Sequence, residues 1–181
     1  GGGGAQLAAS IDPSLKAVIG LCPWLDLNGF LASDIIHDVP VLIFTGQNDD
    51  IANSEEYGYM HYQGTPTSTE KLYFEISNGG HGAANAPQEA EGELGVYALS
   101  WLKTFLVEDP CYCEFLLSTP NGASAYESNI SCEAAIGLLP MVNKEVLLSP
   151  NPSNSDVILL NGKFFDRSYE IINESGLVVL K

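Results

Sequence analysis

Two side chains of this sequence have the types and the setting for acid–base chemistry. Asp49 lies in the turn-like segment 47–50 directly after the apolar run 39–44, and His81 lies between glycines after the apolar run 71–76. A carboxylate can accept the ring N–H of an imidazole, fix its tautomer and stabilise the imidazolium that forms when the ring takes a proton. An imidazole held in this way is a general base for a nucleophile. The pair therefore predicts acyl transfer, provided that the fold brings the two side chains together.

Taken singly, each residue has a plainer interpretation. The run Asn48-Asp49-Asp50 is ordinary turn composition. His37 and His61 fall in a predicted loop and a predicted helix, and we expect both at the surface. His81 differs because the glycines on either side leave its backbone free to carry the imidazole into a cleft. The order strand–Asp, helix, strand–His favours the catalytic interpretation of the pair.

Three continuously apolar runs must position this pair. They cover residues 17–21, 39–44 and 71–76, and such runs are typical of strands buried on both faces of a parallel sheet. Helices are predicted at 4–10, at 54–62 with Asn53 or Ser54 as the cap, and at 89–106. Alternating strands and helices indicate an α/β architecture with parallel strands and flanking helices. Active sites of open α/β sheets assemble at the carboxyl ends of the strands, which is where both loops fall.

The first residues resemble the end of a nucleophile elbow. Gly1–Gly4 run directly into a segment of small residues, and α/β-hydrolases hold their serine in a strained strand-to-helix turn of pattern G-x-S-x-G. Gly1 matches the last glycine of that pattern, so we expect the serine two residues before Gly1. The sequence therefore predicts the C-terminal half of an α/β-hydrolase, in the chain order Ser, Asp, His. Because the nucleophile and the oxyanion donors would lie upstream, this chain by itself is expected to be inactive.

Several ordered segments resemble the bacterial cutinase and polyester-hydrolase family, which includes the poly(ethylene terephthalate) hydrolases and is related to the dienelactone hydrolases. The matching segments are 1–9, 15–17, Pro23-Trp24, 40–44, Asn48-Asp49, Gly80-His81 and Ala84-Asn85. The resemblance covers about residues 1–118. It implies a secreted serine esterase that cleaves carboxylic esters, including polyester chains, without a cofactor or a metal.

The resemblance also assigns roles to individual residues. It implies that Asp49 is the triad acid, His81 the triad base, Trp24 the aromatic residue beside the acyl or aromatic part of the substrate, Ile51 a hydrophobic cleft residue and Asn85 a polar residue beyond the histidine. Trp24 taken without the family would be a packed core residue.

The sequence also departs from the family at the acid and base loops. Some polyester hydrolases join these two loops by a disulfide, whereas this chain has Gly46 and Ala83 at the corresponding positions. The missing disulfide predicts a mobile acid–base pair, and Gly82 predicts a cleft that is wider beside the histidine.

Composition excludes two classes of partner. Lys and Arg number 7 against 23 Asp and Glu, for a net charge of −16, so a nucleic-acid surface is excluded and an anionic membrane surface would repel the protein. No apolar run approaches the roughly 18 residues of a membrane span. Hydrophobic content of 45% with 17% charged residues predicts a globular chain.

The sequence has four cysteines and leaves open which of them pairs with Cys132. Cys111, Cys113 and Cys132 cluster in a loop-rich region, and a disulfide from Cys132 to either of the other two is predicted. Metal binding is the alternative, but three cysteines without a nearby histidine make a poor zinc site. Cys22 is expected to be a buried free thiol.

The C-terminal part of the sequence does not continue the α/β pattern. Residues 119–143 are interpreted as the end of the domain and a linker, and residues 144–181 as a partial small β-sandwich of short strands separated by Asn-Gly and Ser-Gly turns. The segment 148–152, Leu-Ser-Pro-Asn-Pro, and residues 169–179 resemble the C-terminal sorting domain of the type IX secretion system. This resemblance implies the type IX secretion machinery as a partner and a protein that is secreted or attached to the cell surface.

Two alternatives to a polyester hydrolase remain at this stage. One is a small-ester or lipid esterase of the dienelactone hydrolase type, or a peptidase of the same fold, because one fold serves many substrates. The other is a non-catalytic scaffold displayed at the surface. A serine at the elbow would indicate an enzyme, and another residue there would indicate a scaffold. Comparing the rates of ester and amide hydrolysis would distinguish the enzymes from one another.

Overall fold

A computed structural model describes residues 1–25 and 34–132, together with the backbone of four short strands in the C-terminal segment. The chain divides into two compact units, Gly1–Leu139 and Pro140–Lys181.

The first unit is built on a mixed four-stranded sheet. Its strands are β1 (Val18–Leu21), β2 (Val41–Gly46), β3 (Lys71–Ile76) and β4 (Ala123–Ser128), in that spatial order. β1, β2 and β3 are parallel, and β4 pairs with β3 antiparallel. Every residue of β2 is buried, as the continuous apolar run predicts for a strand covered on both faces. The three predicted strands are confirmed.

The sequence did not predict β4, which lies inside the segment interpreted as domain end and linker. Most of the strand is exposed, and its partly buried residues Ala123 and Tyr126 pack against the core. An edge strand that buries so little surface needs no apolar run, so periodicity does not reveal it. The sheet is therefore mixed rather than wholly parallel.

Helices cover both faces of this sheet. They are α1 (Gly2–Ile11), α2 (Tyr59–Gly64) and α3 (Glu93–Trp101), with π-helical turns at Ser54–Gly58 and Leu102–Leu106 and 3₁₀ turns at Ala83–Asn85, Ala90–Gly92 and Pro110–Leu116. Asn53 caps the second helical segment by accepting bonds from the amides of Glu55 and Glu56. The single helix predicted over 89–106 is interrupted near its start, where Glu91 and Gly92 have positive φ. No helix in the described part of the chain combines the length and apolarity needed to cross a membrane.

Alternation along β2 divides the core between the two faces of the sheet. Leu42 and Phe44 belong to one buried cluster, which contains Trp101 of α3, whereas Val41 and Ile43 belong to the other. Because both faces are filled, the strand ends are rigid, and the loops that follow them have fixed starting points.

One predicted disulfide is present. Cys113 and Cys132 are bonded, with their Cα atoms 5.6 Å apart, while Cys111 is exposed and free. Of the two pairings left open by the sequence, the structure contains the one with Cys113. Cys22 is free and buried, as predicted.

The second unit contains two antiparallel strand pairs. β5 (Leu148–Ser149) pairs with β6 (Ile158–Leu159), and β7 (Ile171–Ile172) pairs with β8 (Val178–Leu180). All four strands lie within residues 144–181, the segment predicted to form a partial small β-sandwich. The rest of the predicted sandwich, together with the linker after residue 132, lies outside the described residues.

Candidate active site

Asp49 is held in a turn immediately after β2. Its amide donates to the carbonyl of Gly46 at 3.1 Å. Its carboxylate accepts bonds from the amides of Ile51 at 2.9 Å and Ala52 at 2.8 Å, which is the local pattern that Asp favours in turns. The side chain has no exposed surface. The carboxylate is therefore fixed in place by its own backbone.

The loop after β3 carries His81 and is bonded directly to the Asp49 loop. The amide of Asn48 donates to the carbonyl of Gly79 at 2.7 Å, and the amide of Asn78 donates to Oε1 of Gln47 at 2.8 Å. A Cβ at Gly46 would lie 2.5 Å from the oxygen of Gly79. Only glycine at position 46 allows the two backbones to approach this closely. These bonds join the two loops without a disulfide between positions 46 and 83.

The two loops bring Asp49 and His81 together, as the sequence predicts. Nδ1 of His81 donates to Oδ2 of Asp49 at 2.9 Å and lies 3.1 Å from Oδ1. The carboxylate fixes the tautomer with the proton on Nδ1, so Nε2 is the atom that can take a proton. The His81 side chain is 40% exposed. The pair thus combines a buried acid with a base that reaches solvent.

The surroundings of Asp49 keep its carboxylate ionised. Burial alone would raise its pKa, but hydrogen bonds from Ala52, His81, Ile51 and Cys22 outweigh burial and lower the pKa of Asp49 below 3.8. The carboxylate is consequently charged at neutral pH and stabilises an imidazolium on His81.

Cys22, Asp49 and His81 form the one group among the described residues with donor types and spacing that suit a metal ion. Their ligand atoms lie within 4.8 Å of one another. Burial and the charge of Asp49 raise the pKa of Cys22 to about 12, so the thiol keeps its proton. In this protonation state the group is a hydrogen-bonded cluster in which Asp49 is bonded to His81.

A cavity of about 430 Å³ opens beside His81. Its lining includes Trp24, Ile51 and Asn85, the three residues predicted to contact substrate, together with Gly1 and Gly2 at the start of α1. Trp24 is 43% exposed and Ile51 is 63% exposed. The structure therefore places His81 and the three predicted substrate residues at one opening, with Asp49 buried behind His81. Their individual roles in binding remain predictions.

The start of α1 reaches this cavity because it carries glycine. A Cβ at Gly2 would lie 2.5 Å from the carbonyl oxygen of Leu21 at the end of β1. Glycine at position 2 therefore allows the helix to pack backbone against backbone beside the carboxyl end of the strand. Gly1 and Gly2 therefore line the same cavity as His81.

Two expectations about histidine are wrong. His37 is 6% exposed and His61 is 1% exposed, so neither is a surface residue. Nε2 of His37 pairs with Oε1 of Gln6 in α1. His61 lies on the inner face of α2, a helix too short for its sequence to show which face is buried.

Two contacts at the site were not predicted from the sequence. The thiol of Cys22 lies beside Asp49, and Trp24 has a tilted ring contact with Tyr57 at 6.2 Å between centroids. The first could have been found from register, because Cys22 directly follows β1 at the edge where the loops after β2 and β3 meet. The second depends on loop geometry that the sequence does not reveal.

Comparison with known proteins supports the chemistry of this geometry. A protein-family model described as PET hydrolase-like matches residues 1–134. The chain is 40% identical to Cutinase est1 of Thermobifida alba over 120 residues, which are 66% of this chain and 38% of that protein. It is 38% identical to Cutinase 2 of Thermobifida cellulosilytica over 66% of this chain and 43% of that protein. It is 34% identical to the bis(hydroxyethyl) terephthalate hydrolase of Streptomyces coelicolor over 70% of this chain and 39% of that protein. The chain thus spans about two fifths of the length of these relatives.

Proposed function

The chain belongs to the PET hydrolase-like family, and on that premise we propose that the complete protein is a secreted serine carboxylic-ester hydrolase of the cutinase or polyester-hydrolase type. The observation that carries this proposal is the 2.9 Å bond between Nδ1 of His81 and the buried Asp49 carboxylate, at the rim of the cavity. A charged, fully buried acid paired with a half-exposed base is the arrangement that activates a hydroxyl nucleophile.

The reaction proceeds through an acyl-enzyme. A serine preceding Gly1 attacks the ester carbonyl while Nε2 of His81 takes the hydroxyl proton, and Asp49 stabilises the resulting imidazolium. His81 returns that proton to the departing alkoxide, so the alcohol leaves and the acyl group stays on serine. Water then attacks the acyl-enzyme with His81 again as the base, which releases the carboxylic acid and restores the serine hydroxyl.

The cavity favours an extended or aromatic ester as substrate. Trp24 and Ile51 present exposed apolar surface at the opening, and such surface stabilises an apolar segment that extends beyond the scissile bond. The relatives include two cutinases and a bis(hydroxyethyl) terephthalate hydrolase. We infer that polyester chains and their aromatic diester fragments are the substrate class.

The test uses the complete protein with its upstream sequence. We expect turnover of p-nitrophenyl esters and of a polyester film, and labelling by an organophosphonate on a serine two residues before Gly1, located by peptide mass spectrometry. His81→Ala is expected to abolish ester turnover and labelling while the circular dichroism spectrum is unchanged. An active His81→Ala enzyme contradicts the assignment of the base, and absence of any label supports the scaffold alternative.

Substrate comparison separates the remaining enzyme alternatives. Faster cleavage of bis(hydroxyethyl) terephthalate and film than of short acyl esters supports the polyester type, whereas the reverse order supports a small-ester hydrolase. Turnover of an amide of the same acyl group with no ester turnover supports a peptidase.

We also propose that residues 144–181 belong to a type IX C-terminal sorting domain. The support is the signature-like segment at 148–152 and the two antiparallel strand pairs, Leu148–Ser149 with Ile158–Leu159 and Ile171–Ile172 with Val178–Leu180. In a bacterium with an active type IX system, the complete protein should reach the surface or the medium, and removal of the segment from residue 144 onward should retain it in the periplasm. Equal export of both forms contradicts this assignment.

A further inference from the structure

We propose that Cys22 is a positioning residue of the acid–base pair. Its thiol donates a hydrogen bond to the Asp49 carboxylate, and this bond weakens the attraction of the carboxylate for the proton on His81. The inference rests on the proposed function for its kinetic consequence, whereas the hydrogen bond itself can be measured without any turnover.

The backbone holds Cys22 where three strand ends converge. Cys22 directly follows β1, and its amide donates to the carbonyl of Phe44 in β2 at 2.8 Å. Its φ is 39°, in the left-handed region that few residues other than glycine adopt. A non-glycine residue kept in this conformation at a cavity wall is held there by its surroundings, and such residues cluster at functional sites.

The sulfur faces both members of the pair. It lies within 4.8 Å of a carboxylate oxygen of Asp49 and of a ring nitrogen of His81, and the backbone amides of Gly46 and Ala84 also interact with it. Asp49 and His81 are the charged or titratable groups that face the sulfur from the described elements around it. Cys22 is 5% exposed and belongs to the buried core cluster.

Toward Asp49 the thiol can only be a donor. Burial and the Asp49 charge raise the pKa of Cys22 to about 12, so the group is S–H throughout the working range. A neutral thiol beside a buried carboxylate gives its proton to the negative oxygen, and hydrogen bonds to a charged acceptor are the stronger kind. This bond also contributes to the lowered pKa of Asp49.

A donor on Asp49 changes the strength of its bond to His81. Each donor draws electron density from the carboxylate, so a carboxylate with an added donor stabilises a neighbouring imidazolium less. Loss of the Cys22 thiol leaves that charge more available to His81. The protonated base then persists to higher pH, where it cannot take the serine proton.

The first experiment compares Cys22→Ala with Cys22→Ser in the complete enzyme. For Cys22→Ala, we expect the midpoint of the acid limb of kcat/KM to move up by about half a pH unit, the size expected for one modest hydrogen bond. Cys22→Ser keeps a donor at the same position, and its midpoint should stay near the parent value. Superimposable profiles for all three proteins overturn the inference, and so does an equal shift in both variants, because that indicates packing alone.

The second experiment measures the thiol directly. In a Cys111→Ala background, Cys22 is the remaining free thiol of the described chain, and its S–H stretching band can be recorded by infrared difference spectroscopy. We expect a band at lower frequency than that of the exposed Cys111 thiol, recorded in Cys22→Ala, and a move toward that frequency in Asp49→Asn. A Cys22 band already at the exposed-thiol frequency, or one unchanged by Asp49→Asn, overturns the inference. This outcome does not depend on ester hydrolysis, so it separates failure of the inference from failure of the proposed function.

Discussion

Two buried polar clusters of this molecule contain histidine, and they differ in their partners. In the first, His81 donates to a charged carboxylate and keeps an exposed ring edge at a cavity. In the second, His37 pairs with Gln6 in α1 and His61 lies close enough to His37 to feel its charge, while both ring nitrogens of His61 lack a hydrogen-bond partner among the described residues. Burial lowers the pKa of His37. Burial and, to a smaller extent, the charge of His37 lower the pKa of His61 to about 4.

The difference shows what makes a buried histidine reactive. A buried imidazole with no carboxylate hydrogen-bonded to it stays neutral and serves packing. An imidazole with a buried carboxylate on one side and solvent on the other can take and release a proton. The first cluster is therefore expected to control activity, and the second to control how stability depends on pH.

The largest expected effect tests the carboxylate of the first cluster. Asp49→Asn should lower kcat/KM for esters by about 10³- to 10⁴-fold, because the amide favours the wrong imidazole tautomer and removes the charge that stabilises the imidazolium. Asp50→Asn is the matched control, since Asp50 is exposed and adjacent, and it should stay within about twofold of the parent. Steady-state kinetics on a p-nitrophenyl ester measure both. Equal losses in the two variants would remove the distinction between Asp49 and a turn residue.

The second prediction concerns the His61 side of the comparison. The folded protein protonates His61 only below about pH 4, whereas the unfolded chain does so below 6.5. The unfolded state thus binds more protons between these values, and the free energy of unfolding should fall by about 3 kcal/mol as pH falls from 6.5 to 4. Urea denaturation across this range measures the fall.

One variant sharpens this prediction. His61→Leu removes the group and should reduce the fall to the part that His37 contributes, without changing ester turnover at neutral pH. Asp49 does not confuse the result, because its pKa is lowered from 3.8 and its contribution is lost only at still lower pH. An unchanged slope in His61→Leu would mean that other groups carry the acid sensitivity.

The sequence predicted the first cluster better than the second for a physical reason. Asp49 and His81 follow apolar runs that can only be central strands, and strand ends have a fixed relation to one another. His61 lies on a short helix whose sequence has no distinct apolar face, so its burial comes from tertiary packing. The strand β4 was not predicted because Ala123–Ser128 buries little of its surface and so has no apolar run. Register alone places Cys22 at the sheet edge beside the Asp49 loop, whereas its positive φ is not indicated by the residue type.

A smaller effect tests how the two loops of the first cluster are joined. In Gly46→Ala the added Cβ meets the carbonyl oxygens of Gly79 and Gly80 at 2.5 and 2.7 Å, and the His81 loop must move. We expect kcat/KM to fall by about 10- to 100-fold, the size typical of a base displaced by about 1 Å.

Gly82→Ala is the matched control because a Cβ there meets nothing within 4 Å. It is also next to His81, so it tests whether the absence of a side chain widens the cleft. Activity within about twofold of the parent is expected on small esters. A large loss in Gly82→Ala, with little loss in Gly46→Ala, would reverse our account of the loop contact.

The smallest expected effect tests the cavity beside His81 in the first cluster. Trp24→Ala should raise KM for an aromatic diester by about three- to tenfold, the size of one lost aromatic contact, and should change turnover of an acetyl ester little. Leu99→Ala is the control, because Leu99 is 53% exposed and does not line the cavity. Equal KM values for the two variants would remove Trp24 from the substrate contacts.

The bond between Cys113 and Cys132 also gives the molecule a mechanical property. It encloses β4, the edge strand at Ala123–Ser128, in a closed covalent loop. Tension applied through the residues after Cys132 passes across the sulfur bridge to the 3₁₀ turn at Pro110–Leu116, so β4 bears no load and cannot be unzipped from β3. A pull on the chain after Cys132 therefore leaves the edge of the sheet that carries His81 in place.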